Sequence, residues 1–153
     1  QKVVSAKALA DTDLFCYARG NLVLAGSEDG LSALAKPGHS VAIANPATAP
    51  YGRAAMEVLQ RPEFSAGQGR KLVKGNSVAQ AYQFWQSGAV DMALLPRALQ
   101  AAGAIPVPLD WYQPVAQFAV VLQHSAAVDE YLQWLRSDTV RSLITDAGYE
   151  PCP

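Results

Sequence analysis

Residues 43–59, IANPATAPYGRAAMEVL, join a short apolar run to an amphipathic helix through a turn crowded with Asn45, Pro46, Thr48, Pro50 and Gly52. The rings of Pro46 and Pro50 fix φ and disfavour helix in the residue before each, so the chain stays extended as far as Pro50. Beyond it, Ala54, Ala55, Val58 and Leu59 share one helical face, and Pro62 sets the limit of the helix. A short apolar strand running directly into a helix is the unit from which α/β folds are built.

The unit recurs along the chain. Residues 21–25 (NLVLA), 41–44 (VAIA), 71–73 (KLV), 91–95 (DMALL) and 117–122 (QFAVVL) read as short, continuously apolar strands. Residues 30–38 (GLSALAKPG) predict a short helix stopped by Pro37 and Gly38. In residues 76–88 (NSVAQAYQFWQSG), Val78, Ala81, Tyr82 and Trp85 follow the i, i+3, i+4, i+7 pattern and Gly88 ends the helix. Two further helices are predicted on Val128, Tyr131, Leu132 and Leu135, then on Val140, Leu143, Ile144 and Ala147. Tyr82, Trp85 and Trp134 are expected in the core. The alternation predicts a mostly parallel sheet covered on both faces.

Composition excludes several functions. The 12 Lys and Arg are scattered and balanced by 13 Asp and Glu, whereas nucleic-acid binding needs clustered basic residues. No stretch approaches the roughly 18–20 apolar residues of a membrane span. Two cysteines cannot supply a four-ligand metal site, and His39 and His124 have no ligand spacing to them. No nucleophile elbow or comparable signature is present, so neither enzymatic catalysis nor a cofactor is expected. Glu57, Asp91 and Asp110 read as isolated and solvated. Trp111 and Tyr112 either line a cleft or anchor a loop. Cys16 and Cys152 form one disulfide in an oxidising compartment or remain two thiols.

Ligands of such sheets bind beyond the carboxyl ends of strands, where helix N-termini converge. That directs attention to residues 45–53 and 74–79. At the first joint no Asp stands at the cap, Gly52 lacks a Cβ, and the N–H groups around Tyr51, Gly52 and Arg53 open a helix, which favours an anion. The plain alternative is a tight turn capped locally by Asn45 or Thr48. At the second joint, Asn76 or Ser77 caps the helix and leaves the N–H groups of Val78 and Ala79 pointing outward. There too a plain Ser77 cap needs no ligand. Arg53 and Lys74 are the charged residues of the two joints.

At these residues the chain resembles the periplasmic molybdate-binding proteins of molybdate ABC importers. The likeness rests first on residues 38–59 (GHSVAIANPATAPYGRAAMEVL) and continues through residues 75–95 (GNSVAQAYQFWQSGAVDMALL), 107–122 (VPLDWYQPVAQFAVVL) and 131–151 (YLQWLRSDTVRSLITDAGYEP). The resemblance implies an α/β, type II periplasmic-binding-protein fold whose two lobes close on one tetrahedral oxyanion, molybdate or tungstate, without a countercharge. Carried over by position, the ligand's donors here are the backbone N–H groups of Tyr51 and Val78, with Asn45, Pro50, Gly52, Asn76 and Ser77 shaping the two loops. Residues 18–118 correspond to the second lobe, and residues 1–17 with 119–153 to a carboxyl-terminal remnant of the first.

The chain departs from the family in two ways. The Ser-bearing loops that open the family's first lobe have no counterpart here, so a fragment with weak or no binding alone is expected. Pro96 stands where some members carry a ligating Tyr. The incomplete lobe implies exposed apolar helix faces and a homodimer, and both cysteines fall in it, as a periplasmic disulfide requires. The implied partner is a molybdate permease, with no nucleic acid. The competing expectation is an effector-sensing domain of a cytoplasmic transcription regulator sharing this fold.

Overall fold

The computed structural model describes residues 14–152. Its strands in chain order are β1 (Leu14–Gly20), β2 (Leu22–Ala25), β3 (Ser40–Ala44), β4 (Lys71–Gly75), β5 (Met92–Pro96), β6 (Ile105–Pro106), β7 (Val115–Val120) and β8 (Tyr149–Glu150). The α-helices are α1 (Pro50–Leu59), α2 (Val78–Gln86), α3 (Ala126–Leu135) and α4 (Asp138–Asp146). Two compact units result: a central one of Asn21–Val115, and a terminal one of Gln1–Gly20 with Ala116–Pro153.

The central unit holds a five-stranded sheet in the order β4-β3-β5-β2-β6. β3 is parallel to both β4 and β5, whereas β2 is antiparallel to β5 and β6. The route β3–α1–β4 moves one way across the sheet, and β4–α2–β5 moves back over β3. Crossovers of a single hand then require α1 and α2 to cover opposite faces. Strand residues divide between those faces with period two. Leu22, Leu24, Val41, Ile43, Met92 and Leu94 pack with Ala54, Ala55, Val58 and Leu59 of α1. Val23, Ala25, Ala42, Ala93 and Leu95 pack on the other side with Ala81 of α2, and Tyr82 and Trp85 lie partly buried against them. Strands covered on both faces explain the continuous apolar runs.

The short helix expected at residues 30–38 is a 3-10 helix, Gly30–Ala35. Several other local expectations need correction. Glu57 is not merely solvated, because its Oε2 accepts the backbone N–H of Gln113 at 2.7 Å. Asp91 is likewise engaged: its Oδ2 accepts the Ser40 N–H at 2.8 Å and the Ser40 hydroxyl at 2.9 Å, while Ser40 Oγ accepts the Asp91 N–H at 2.9 Å. This reciprocal clasp ties the amino ends of β3 and β5. Trp134 is 49% exposed rather than core, with the ring of Tyr131, 56% exposed, 5.7 Å away. The reason is that α3 contributes no buried residue to its unit.

The terminal unit is a three-stranded sheet, β7-β1-β8, with α3 and α4. The strand β1, LFCYARG, mixes apolar and polar residues and carries no clear sequence signal. The unit's buried apolar residues among those described are Ala18, Val121 and Val140, and β8 is held to β1 through the pairs Arg19↔Glu150 and Gly20↔Tyr149. Cys16 and Cys152 are joined by a disulfide with Cα atoms 6.0 Å apart, 136 residues distant in sequence. In so thin a core, a cross-link that constrains the unfolded chain by about 2–5 kcal/mol carries much of the stability.

The Ser40 hydrogen bonds, with a smaller contribution from His39, hold the Asp91 carboxyl below the ordinary carboxylate range. A depressed folded-state pKa stabilises the fold above the unfolded pKa and is lost as pH falls through the folded one. Asp91→Asn therefore lowers the melting temperature at neutral pH, and its deficit shrinks below about pH 4. Thermal melts of both proteins from pH 7 to pH 3 measure this.

Candidate functional site

The register of β3 with β4 ends at Ala44 opposite Gly75, and the Asn45 N–H donates to the Gly75 carbonyl at 2.8 Å. The two carboxyl ends thus lie side by side at the strand spacing of about 4.8 Å. Each leads within a few residues into a helix, so the N-termini of α1 and α2 both rise from one edge of the sheet.

At the first joint Asn45 organises the turn. Its carbonyl accepts the N–H groups of Thr48 (3.2 Å) and Ala49 (2.9 Å), and its Oδ1 accepts that of Ala47 at 3.0 Å. The side chain is thereby committed to the loop and does not cap α1. The cap position falls to Ala49, in extended conformation and without a side-chain cap bond, so neither Asn45 nor Thr48 plays the capping role. Pro50 fills the first helical position and contributes no N–H. The Arg53 N–H donates to Ala49 O at 3.1 Å and closes the first turn. Between them stand the N–H groups of Tyr51 and Gly52, where a Ser or Asp cap would direct its oxygen in other helices. A Cβ built on Gly52 would press far inside contact distance of the Ala44 carbonyl oxygen. Glycine there lets the first turn of α1 sit directly on the end of β3.

The second joint is capped. Ser77 Oγ accepts the Gln80 N–H at 3.1 Å, Gln80 Oε1 accepts the Asn76 N–H at 2.6 Å, and Ala81 N–H donates to Ser77 O at 3.1 Å. The plain reading of Ser77 as N-cap is therefore correct, and Asn76 is a recipient of capping rather than its source. The arrangement leaves the Val78 and Ala79 N–H groups with no acceptor among the described residues. Gly75 is required here, because a Cβ on it would lie 2.9 Å from Ala81 N and 3.1 Å from Ser77 O. Gly75 and Gln80 are site-building residues beyond those singled out from sequence. The Ser77-x-x-Gln80 spacing is a capping-box signal that identifies Gln80, whereas nothing local identifies the need for Gly75.

Neither helix has an acid in its first turn. Arg53 and Lys74 are exposed. Two helix dipoles and their first N–H groups add positive character to this edge beside the two exposed side chains. Trp111 and Tyr112 anchor a loop. The buried Tyr112 accepts the Leu22 N–H on its hydroxyl at 3.0 Å, and Trp111 packs edge-on to Phe64 (5.7 Å) beneath the Arg61 guanidinium (4.5 Å). Among the described residues no group of three or more His, Cys, Asp or Glu is placed to hold a metal, and no helix is long and apolar enough to cross a membrane.

A profile of the bacterial extracellular solute-binding protein family matches residues 1–150. The chain is 35% identical over 147 residues to the molybdate-binding protein ModA of Rhodobacter capsulatus, covering 88% of this chain and 58% of that protein. The structure is similar to the periplasmic molybdate-binding protein of Azotobacter vinelandii, with a TM-score of 0.74 and 31% identity, over 99% of this chain and 74% of that one. A substrate binding domain from Clostridium difficile shares the fold at a TM-score of 0.80 and 19% identity, over 99% and 72% of the two chains. The α/β architecture is thus that of the type II periplasmic binding proteins.

Gly52→Ala is expected to destabilise the central unit by about 1–3 kcal/mol, since the added methyl meets backbone rather than a yielding side chain. Ser77→Ala costs about 1 kcal/mol, the value of a lost N-cap. Urea unfolding followed by circular dichroism ranks the two.

Proposed function

The chain belongs to the bacterial extracellular solute-binding protein family, and from that premise we propose that it binds a tetrahedral oxyanion, molybdate or tungstate, for a molybdate ABC permease. The observation that carries the reading is the pairing of two helix N-termini on adjacent strand ends, one of them capped by an alanine that offers no oxygen of its own. The backbone N–H groups of Tyr51 and Val78 are the assigned donors, with Gly52 and Ala79 beside them. Asn45, Pro50, Asn76 and Ser77 hold the loops in shape.

Neutral dipoles suit such a ligand. A dianion that stays deprotonated at neutral pH is recognised by donors alone, and fixed N–H groups need no reorganisation to receive it. Selectivity then rests on the size and geometry of the shell rather than on net charge. The joints hold only Arg53 and Lys74 and no cluster of titratable groups to drive a reaction, which supports binding and delivery over catalysis. Residues 18–118 are assigned as the oxyanion-binding lobe, with the two joints supplying one side of the ligand's shell.

A periplasmic address is part of the same proposal. The Cys16–Cys152 disulfide supports it, because such bonds persist in oxidising compartments. The same bond disfavours an effector-sensing domain in a reducing cytoplasm.

Backbone amide NMR of the 153-residue chain titrated with sodium molybdate tests the assignment even where binding is weak. The expected result is saturable shifts of the Tyr51, Gly52, Val78 and Ala79 amides, retained in Arg53→Gln and Lys74→Gln. Shifts absent from those four amides at millimolar molybdate, or abolished by Arg53→Gln, overturn it.

A further inference from the structure

The disulfide of the terminal unit does not lie in a sealed core. Cys16 and Cys152 line a cavity of about 260 Å³ together with Phe15, Pro151, Arg136 and Arg141. Both cysteines are partly rather than fully buried. The Arg136 guanidinium lies 5.2 Å from the Phe15 ring centroid. No ion pair joins either arginine to a carboxylate among the described residues, and both arginines line the same cavity as the reachable S–S bond.

That combination is the one that makes a disulfide exchangeable. Exchange is attack of a thiolate on a disulfide sulfur, and its rate rises when the attacking thiolate can approach and the departing one is stabilised. Neighbouring guanidinium groups do both, drawing anions into the cavity and lowering the pKa of a thiol formed there. We propose that Cys16–Cys152 is a thiol–disulfide exchange site that takes thiols carrying negative charge, rather than an inert cross-link.

The chemistry balances with two such thiols as reductant. The first, as thiolate, attacks Cys152 Sγ, which lies beyond the last strand. A new S–S bond forms while the Cys16–Cys152 bond breaks, and its electron pair leaves on Cys16 Sγ. A second thiolate attacks the small molecule's sulfur in this mixed disulfide and releases Cys152 as thiolate. Two thiols become one small disulfide, the protein disulfide becomes two cysteines, and the two protons the thiols brought end on Cys16 and Cys152. Cys16 Sγ already lies 3.7 Å from the Ala18 carbonyl oxygen, an acceptor for the S–H that forms. Reduction then leaves β8 held by its two residue pairs to β1, so the carboxyl-terminal edge of the unit loosens when the bond opens.

The test measures the second-order rate of reduction of the native protein by mercaptoethanesulfonate, which is anionic, and by mercaptoethanol, which is neutral, using a thiol reagent to count the groups released. The expected result is faster reduction by the anionic thiol. The double variant Arg136→Gln, Arg141→Gln should reduce that rate about 3- to 10-fold, the scale of one or two screened charges, with rescue by Arg136→Lys, Arg141→Lys. Circular dichroism confirms that the variants keep the fold. Equal rates for the two thiols, rates indifferent to the variants, or reduction that requires denaturant each overturn the proposal.

Discussion

The parallel pairing of β3 with β4, ending at Ala44 opposite Gly75, is the constraint on which the site depends. Parallel strands demand crossover helices, and both helices must begin at the edge where the strands end. Once the two strands are neighbours in this register, the N-termini of α1 and α2 are neighbours as well. The glycines complete the geometry. Gly52 lets α1 begin on the Ala44 carbonyl, and Gly75 lets the first turn of α2 fold back over β4.

The two helix ends reach the same edge with different capping arrangements. α2 spends Ser77 and Gln80 on its own cap. α1 does not, because Asn45 is committed to the turn before it and Ala49 has no oxygen to give. The result is two positive dipole ends on one edge with no acid in either first turn.

The terminal unit follows another logic. α3 buries none of its residues fully, β8 is two residues long, and stability leans on one covalent bond between the ends of the described chain. That bond is flanked by cations and reachable. The central unit, with large apolar clusters on both faces of its sheet, needs no such support.

Much of this was legible in the sequence, where the apolar runs, the helical periodicity and the Pro and Gly punctuation are local properties. The strand-to-helix joints, the α/β class and the absence of an acid at the two helix starts were all open to inspection in residues 43–59 and 76–88. β1 was not, because LFCYARG has no clean period, and its strand character comes from pairing with chain more than a hundred residues away. The clasp of Asp91 with Ser40, the buried hydroxyl of Tyr112 and the exposure of Trp134 were equally hidden, each depending on what tertiary neighbours supply or fail to supply. Whether Asn45 capped a helix or built a turn also waited on the fold, since one side chain offers both options and only the placement of Ala47 decides between them. The sequence alone determined where helices could start without a charge. Tertiary structure decided that two of those starts stand on adjacent strands, because register is a relation between distant segments that no local pattern contains.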